Sequence, residues 1–411
     1  MADSAVTPFE ARLRELAERG VEGVVEFADA VVAEGIRRGA SDIHVEPFGD
    51  ALLVRFRLDG VLHPALQVPT ECPTNVVSRF KVLADLLTYQ SDMPQEGRIP
   101  RERVNAPADL RVSSFPTVRG EKVVVRLFDP ETQDVRLEAL GYPPAVREEL
   151  ELQIQNPGGI LLLTGPAGSG KTTTIYAALR YLLEKSGGAR HVVTVEDPVE
   201  RMLPGVTQTQ VHPGTGLTFA RCLRSLMRQD PEVIVIGEIR DRETAEIAME
   251  AGLTGHLVIS TIHSGSAAGV FTRLLEMKIE PYLASSAVNL IVAQRLVRRL
   301  CPECRRPVRA REELLGLPGD LLGRAQAAAG CDQCFNTGYR GRTVLVEALK
   351  NAKPIREEVL QRAATETIHL TAISQGMRPL HEAALEAVAQ GVTSPGEIRR
   401  VLGQESGAEG T

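Results

Sequence analysis

The segment Gly165-Pro-Ala-Gly-Ser-Gly-Lys-Thr172 fits the pattern G-x-x-x-x-G-K-[ST]. Backbone N–H groups of such a loop can wrap a triphosphate at a closeness that only glycines permit. Gly165, Pro166, Ala167, Gly168, Ser169 and Gly170 would form the cradle, with Lys171, Thr172 and Thr173 opening a helix whose N-terminus favours anions. Lys171 would reach the β- and γ-phosphates of ATP, and the Thr172 hydroxyl would sit on Mg²⁺. Hydrolysis also needs an acid at a second strand end. The run Val233-Ile-Val-Ile236 leads into Gly237-Glu238, where Gly237 takes the place of the usual aspartate. Glu238 is therefore the candidate for orienting or deprotonating the attacking water, with magnesium held partly through water. A third acidic group, Glu196, Asp197 and Glu200, follows another apolar run. At the carboxyl end of a parallel strand it could bind Mg²⁺ or position water, and a solvated acidic turn is the alternative.

Six cysteines are present, and four form the pairs Cys301/Cys304 and Cys331/Cys334, separated by 26 residues. Each C-x-x-C puts two thiolates on one tight knuckle. Two knuckles complete a tetrahedral four-sulfur site that is closed to water and structural. Zinc is the expected ion, with redox disulfides or an iron–sulfur cluster as alternatives. Arg298, Arg299, Arg305 and Arg306 crowd the first knuckle and would favour thiolates. Cys72 and Cys222 have no such partners and read as ordinary thiols.

The elements that must carry these groups can be read from periodicity. Residues 1–21 form a polar lead-in. Apolar residues then recur at helical spacing from Val25 to Arg38, and Gly39 stops the helix. Asp42–Glu46 and Leu52–Leu58 alternate as strands, with a hairpin turn at Asp59-Gly60. A helix over Thr74–Leu87 and strands over Asp109–Phe115 and Glu121–Phe128 complete an α+β domain spanning 22–129. Residues 130–144 read as a linker. Beyond it, the apolar runs Ile160–Thr164, His191–Val195, Val233–Ile236 and His256–Ile262 alternate with helical stretches, such as Thr172–Lys185, which indicates a mostly parallel sheet covered on both faces. That core spans 145–300. From Tyr282 the chain is expected to turn largely helical, interrupted by the cysteine module at 301–340. A helical subdomain at 341–403 with two or three helices and a polar tail at 404–411 follow.

Composition narrows the function. A chain of 411 residues suggests two to three domains, and 43% hydrophobic with 24% charged residues is ordinary for a globular protein. Aromatic content of 4%, no Trp and a net charge of −6 argue against a nucleic-acid partner. No apolar run reaches the ~18–20 residues of a membrane helix, and the N-terminus lacks a signal-peptide core. A cytoplasmic protein is expected.

Several motifs, in order, resemble the secretion ATPases of type II secretion and type IV pilus assembly, within the type II/IV secretion superfamily. They are Ala40-Ser-Asp-Ile-His-Val-Glu-Pro47, Gln95-Glu-Gly-Arg98, Leu110-Arg-Val-Ser113, the phosphate loop, the acidic box Val195–Glu200, the run Leu223–Asp241, Thr254–His263, the paired C-x-x-C and Gly338-Tyr-Arg-Gly-Arg342. The resemblance spans roughly residues 22–403. It implies a RecA-like P-loop NTPase core of α/β class, an N-terminal α+β (PAS-like) domain, a four-cysteine zinc insertion and a C-terminal helical subdomain. It also implies a homohexamer that binds ATP where the first and second domains meet. Arg98 and Arg111 of the first domain, and Arg224, Arg228, Arg240 and Arg342 of the second, would then contact phosphates and neutralise developing charge. His263 falls in the family's His box as a sensor or positioning residue, with His256 at the start of the same strand as a weaker candidate. The family usually continues His-Thr-Asn-Asp-Ala, whereas this chain has His263-Ser-Gly-Ser-Ala267.

The four-cysteine insertion marks assembly or secretion motors in the family, and the chain reads as a short form without the further N-terminal docking domain that many of them carry. The expected activity is ATP hydrolysis that drives pseudopilus or pilus assembly through an inner-membrane platform protein, peripherally on the cytoplasmic face. A nucleotide-gated ring with little turnover and a nucleic-acid translocating motor are the alternatives.

Overall fold

The computed structural model describes residues 8–49, 51–69, 73–127, 135–314 and 317–403. Cys72, Phe128, most of the first half of the expected linker and the tail lie outside them. The chain divides into two compact units, Met1–Asp134 and Val135–Thr411.

In the first unit, helices α1 (Pro8–Glu18) and α2 (Val24–Arg37) precede strands β1 (Asp42–Phe48), β2 (Ala51–Leu58) and β3 (Val61–Pro69). Helix α3 (Pro73–Leu83) and strands β4 (Gln95–Ile99), β5 (Leu110–Thr117) and β6 (Gly120–Arg126) follow. The six strands form one sheet in the order β3-β2-β1-β6-β5-β4. Alternation makes one face apolar, with Ile43, Val45, Val54, Phe56, Val112, Val123 and Val125 all buried. A buried ion pair, Lys81 Nζ to Glu121 Oε1 at 2.7 Å, ties α3 to β6.

The second unit is built on a seven-stranded sheet. Its elements are α4 (Pro144–Gln155), β7 (Gly159–Thr164), α5 (Lys171–Ser186), β8 (Val192–Glu196), β9 (Val206–Gln210), α6 (Phe219–Leu226), β10 (Val233–Ile239), α7 (Arg242–Leu253) and β11 (Leu257–Ile262). They continue with α8 (Ala267–Glu276), α9 (Pro281–Ala287), β12 (Val288–Leu300), the short strands β13 (Arg306–Pro307) and β14 (Gln326–Ala327), and β15 (Tyr339–Lys350). Helices α10 (Lys353–Leu360), α11 (Thr365–Ser374), α12 (Leu380–Ala389) and α13 (Pro395–Leu402) close the unit. The order is β15-β12-β7-β11-β10-β8-β9, parallel throughout except for the antiparallel pair β12/β15.

Every residue of β7 is buried, as a central parallel strand requires. Ile160 and Leu162 pack in one apolar cluster and Leu161 and Leu163 in the other. Helices cover both faces, as periodicity indicated. The stretch after Tyr282 departs from the helical expectation. Only Pro281–Ala287 is helical there, and Val288–Leu300 is a 13-residue strand. Its apolar run is buried on both faces between β7 and β15, an environment that suits a strand. The C-terminal end carries four helices, not two or three. Among the described residues, no helix is long and apolar enough to cross a membrane.

Candidate active site

The phosphate loop joins β7 to α5, so its glycines lie beyond the carboxyl end of the central strand. Gly165, Gly168 and Gly170 take positive φ values of 142°, 73° and 90°. At Gly165 a Cβ would lie 2.4 Å from the Gln294 carbonyl oxygen, so no side chain fits. Lys171 Nζ donates to the carbonyls of Gly165 (2.8 Å) and Pro166 (2.9 Å). Burial pushes its ammonium below the usual lysine range, and the Glu238 carboxylate opposes that shift.

A cleft of about 330 Å³ opens above this loop. Ala167, Gly168, Lys171 and Thr172 form one wall; Glu196, Asp197, Glu200, Glu238, Arg240 and His263 are among the residues facing it. The parallel order explains the gathering, because the ends of β8, β10 and β11 all point to the same edge of the sheet. Glu238 lies within β10, where the pairing to β11 is irregular between Ile236 and Ile239. Its Oε2 accepts from Arg240 Nε at 2.7 Å, and its Oε1 lies 2.9 Å from His263 Nε2. Thr261 Oγ1 fixes the same strand end by donating to the Gly237 carbonyl at 2.8 Å. At Gly237 a Cβ would sit 3.3 Å from Glu196 Cα, which leaves little room for an aspartate there.

Glu196 is buried and accepts three hydrogen bonds, from Tyr176 Oη (2.5 Å), Thr194 Oγ1 (2.5 Å) and Gln208 Nε2 (3.0 Å). That saturation anchors the acidic loop to α5 and leaves Asp197 and Glu200 as the more open acids of the cleft. Tyr176 was missed by the sequence reading. It lies four residues beyond Thr172, one helical turn along α5, and that spacing was the available signal. Thr172 and Thr173 are exposed at the start of α5.

The remaining arginines are not all in this cleft. Arg224 pairs with Glu243, and Arg228 Nη1 donates to the Arg224 carbonyl at 2.7 Å. Arg342 lies on β15 opposite Arg298 of β12. In the first unit, Arg98 and Arg111 are direct cross-strand neighbours, and Arg111 in turn faces Arg126 of β6. Three cations side by side oppose one another, and acids moderate the row: Asp109 meets Arg98 at 2.8 Å and Asp42 meets Arg126 at 3.1 Å. His256 sits at the far end of β11 from the cleft, with Nδ1 at 3.1 Å from the Ala251 carbonyl, where it closes a turn.

The four cysteines converge as the spacing indicated. Their sulfur atoms all lie within 4.8 Å of one another, with Cys301–Cys331, Cys304–Cys334 and Cys331–Cys334 at 3.9, 3.8 and 3.8 Å. A tetrahedral Zn–S distance of about 2.3 Å sets an S–S edge of about 3.8 Å, so the donor set and its size fit the ion. The same separations are far from a disulfide bond, and the four are free cysteines. Backbone N–H groups of Gly330, Cys331 and Gly338 point at the sulfurs. Burial pushes the Cys334 thiol up, but the N–H groups of Cys331 and Gly338, together with the Cys331 and Cys304 side chains, outweigh it and draw the thiol down to about 7. Three of the four arginines expected to favour thiolates are engaged elsewhere: Arg298 with Glu397, Arg305 with the Gly391 carbonyl and Arg306 with Glu313.

The sequence profile of the family described as type II/IV secretion system protein matches residues 17–401. The type II secretion system ATPase E of Vibrio cholerae is 42% identical over 386 residues, covering 92% of this chain and 75% of that protein. The type IV pilus assembly ATPase PilB of Myxococcus xanthus is 41% identical over 382 residues, covering 91% and 67%. Among solved structures, the ATPase DotB of Yersinia pseudotuberculosis superposes with a TM-score of 0.67 at 22% identity, covering 91% of this chain and 92% of that one.

Proposed function

The chain belongs to the type II/IV secretion system protein family and is an ATPase of secretion or pilus-assembly machinery; from that premise we propose how its residues divide the work. ATP and Mg²⁺ occupy the cleft above α5. Lys171 and the loop N–H groups hold the phosphates, and Thr172 with Asp197 and Glu200 surrounds the metal. Glu238 orients and deprotonates the attacking water. His263 and Arg240 hold its two oxygens, and Arg240 also offers its charge to the phosphates. Arg98 and Arg111, with Arg224, Arg228 and Arg342, complete the cationic surround when copies assemble as a hexamer. The four cysteines hold zinc as a structural ion. The assembled ring works peripherally at the cytoplasmic face of the inner membrane, on a platform protein that adds pilin-like subunits.

The observation that supports this most is the Glu238–His263 contact at 2.9 Å across the cleft from the phosphate loop. Lys171→Ala should abolish phosphate release from MgATP by the assembled protein. Retention of wild-type turnover by that variant would overturn the reading.

A further inference from the structure

The loop Ser264-Gly-Ser266 leaves His263 and enters α8 with only short side chains. It is held almost wholly through its backbone. Thr164, buried at the end of β7, accepts from the Ser264 N–H at 2.9 Å and donates to the Ser264 carbonyl at 3.1 Å. Arg295 of β12 donates through Nη2 to the Gly265 carbonyl at 2.7 Å. Glu347 of β15 accepts from the Ala267 N–H at 2.6 Å, at the first residue of α8.

Two of these groups also reach elsewhere. The Arg295 guanidinium lies against the phosphate loop: a Cβ at Gly165 would stand 3.2 Å from its Nη1, and its charge is felt by Lys171. Burial pushes the guanidinium below its ordinary value, which the Glu347 carboxylate opposes. Glu347, only 3% exposed, uses its second oxygen to accept from the Leu380 N–H at 3.3 Å, at the start of α12. One carboxylate thus closes the N-termini of two helices, where the helix dipole favours it. None of this was legible from the cysteine or phosphate motifs. Arg295 is simply a charge inside an otherwise apolar run.

We propose that Arg295 and Glu347 are positioning residues for hydrolysis. They set the height of the loop after His263, and so aim His263 at Glu238 in register with the phosphate loop. Neither touches the reacting atoms. They act through His263, and the inference rests on the roles given above to His263 and Glu238. Arg295 spans the two walls, phosphate loop and His263 loop, that must keep their spacing while water attacks. Glu347 fixes the other end of the same loop and joins it to α12. A displacement of about 1 Å at such a group can cost roughly a hundredfold in rate, which a single 2.7 Å hydrogen bond to Gly265 is placed to prevent.

A double-mutant cycle on the full chain tests this. Arg295→Ala should lower kcat for MgATP by roughly tenfold to a hundredfold, with KM changed by less than about threefold. Arg295→Lys, which can still donate to the Gly265 carbonyl, should restore most of the loss. In a His263→Ala background, Arg295→Ala should add less than about threefold, because the group it positions is already gone. Multiplying effects, or a raised KM with kcat intact, overturn the proposal. Should Arg295→Ala not fold, Glu347→Gln enters the same cycle with His263→Ala, and the same non-additivity is required. If His263→Ala alone leaves kcat unchanged, the assignment of His263 falls. If it lowers kcat and the effects multiply, only the positioning role falls.

Discussion

Replacing Glu238 with Gln keeps the side-chain shape and removes its charge. The carboxylate now meets two donors, Arg240 Nε at 2.7 Å and His263 Nε2 at 2.9 Å. An amide offers one oxygen and one NH₂ group, so Arg240 can keep its acceptor while His263 must either give up its partner or switch tautomer and accept from the NH₂. The Arg240 and His263 side chains are 65% and 59% exposed, so water can take over the lost bond. The stability cost should stay below about 1 kcal/mol. The kinetic cost is far larger. A positioned base that takes the proton of an attacking water is worth about 10²–10⁴-fold, or about 2.7–5.4 kcal/mol of barrier. ATP binding should not weaken, because the substitution removes a negative charge from the cleft that the phosphate loop lines. Phosphate release at saturating MgATP should therefore fall by about 10²–10⁴-fold, with KM unchanged or lower and thermal unfolding unmoved. A folded Glu238→Gln protein with kcat within about threefold of the parent would refute the assignment of this glutamate as the base.

Two further outcomes follow from the rest of the second unit. Metal analysis of the purified protein should find about one zinc per chain, and Cys301→Ser should lose it together with thermal stability; an iron–sulfur absorbance spectrum instead would discard the zinc assignment. Burial pushes the Glu397 carboxyl up, but hydrogen bonds from Arg400 and Arg298 outweigh that and hold it below the usual carboxylate range. The unfolded chain then takes up the proton first, so this contribution is complete above about pH 4.5 and is lost as pH falls through the depressed value. The gap in melting temperature between the parent and Glu397→Gln should shrink on acidification below that point, and a constant gap would contradict it.

Legibility from the sequence followed how local each constraint is. The phosphate loop was legible because its glycines answer to the backbone itself, as the clash at Gly165 shows. Strands β7, β8, β10 and β11 were legible because a buried parallel strand is a short apolar run. Strand β12 was not, since Ala293, Gln294 and Arg295 interrupt its β-branched residues and its partner β15 lies across the cysteine module. Burial between two strands overrode local preference there. The motifs named Arg98 and Arg111 but not their adjacency, because the register of β4 on β5 is set by a loop whose length gives no pattern. Arg240 was read as a phosphate contact, and its observed partner is Glu238. Pairings between strand ends depend on strand order, which periodicity does not carry.

Strand order also explains why β12 serves several sites at once. Gln294 Nε2 donates to the Ser169 carbonyl of the phosphate loop at 2.7 Å, and its Oε1 accepts from Tyr142 Oη at 2.8 Å. Its neighbour Arg295 faces the loop after His263. Three residues on, Arg298 stacks 3.9 Å from the Tyr339 ring centroid and pairs with the fully buried Glu397 of α13. Cys301, the first thiol of the metal knuckle, follows directly. From Arg295 to Cys301 a strand advances about 20 Å at about 3.3 Å per residue. Over that distance the strand is paired with β15, with a register shift between Arg298 and Leu300, and a paired strand does not stretch. The bond of Arg295 to Gly265 and the Cys301 knuckle are therefore tied to one frame, and the boundary between residues 340 and 341 falls inside β15, which completes that frame. Removing Glu397 would leave the buried Arg298 charge without its carboxylate, a loss of roughly 3–5 kcal/mol. The pair thus locks α13 onto the strand that also carries the phosphate-loop and thiol contacts.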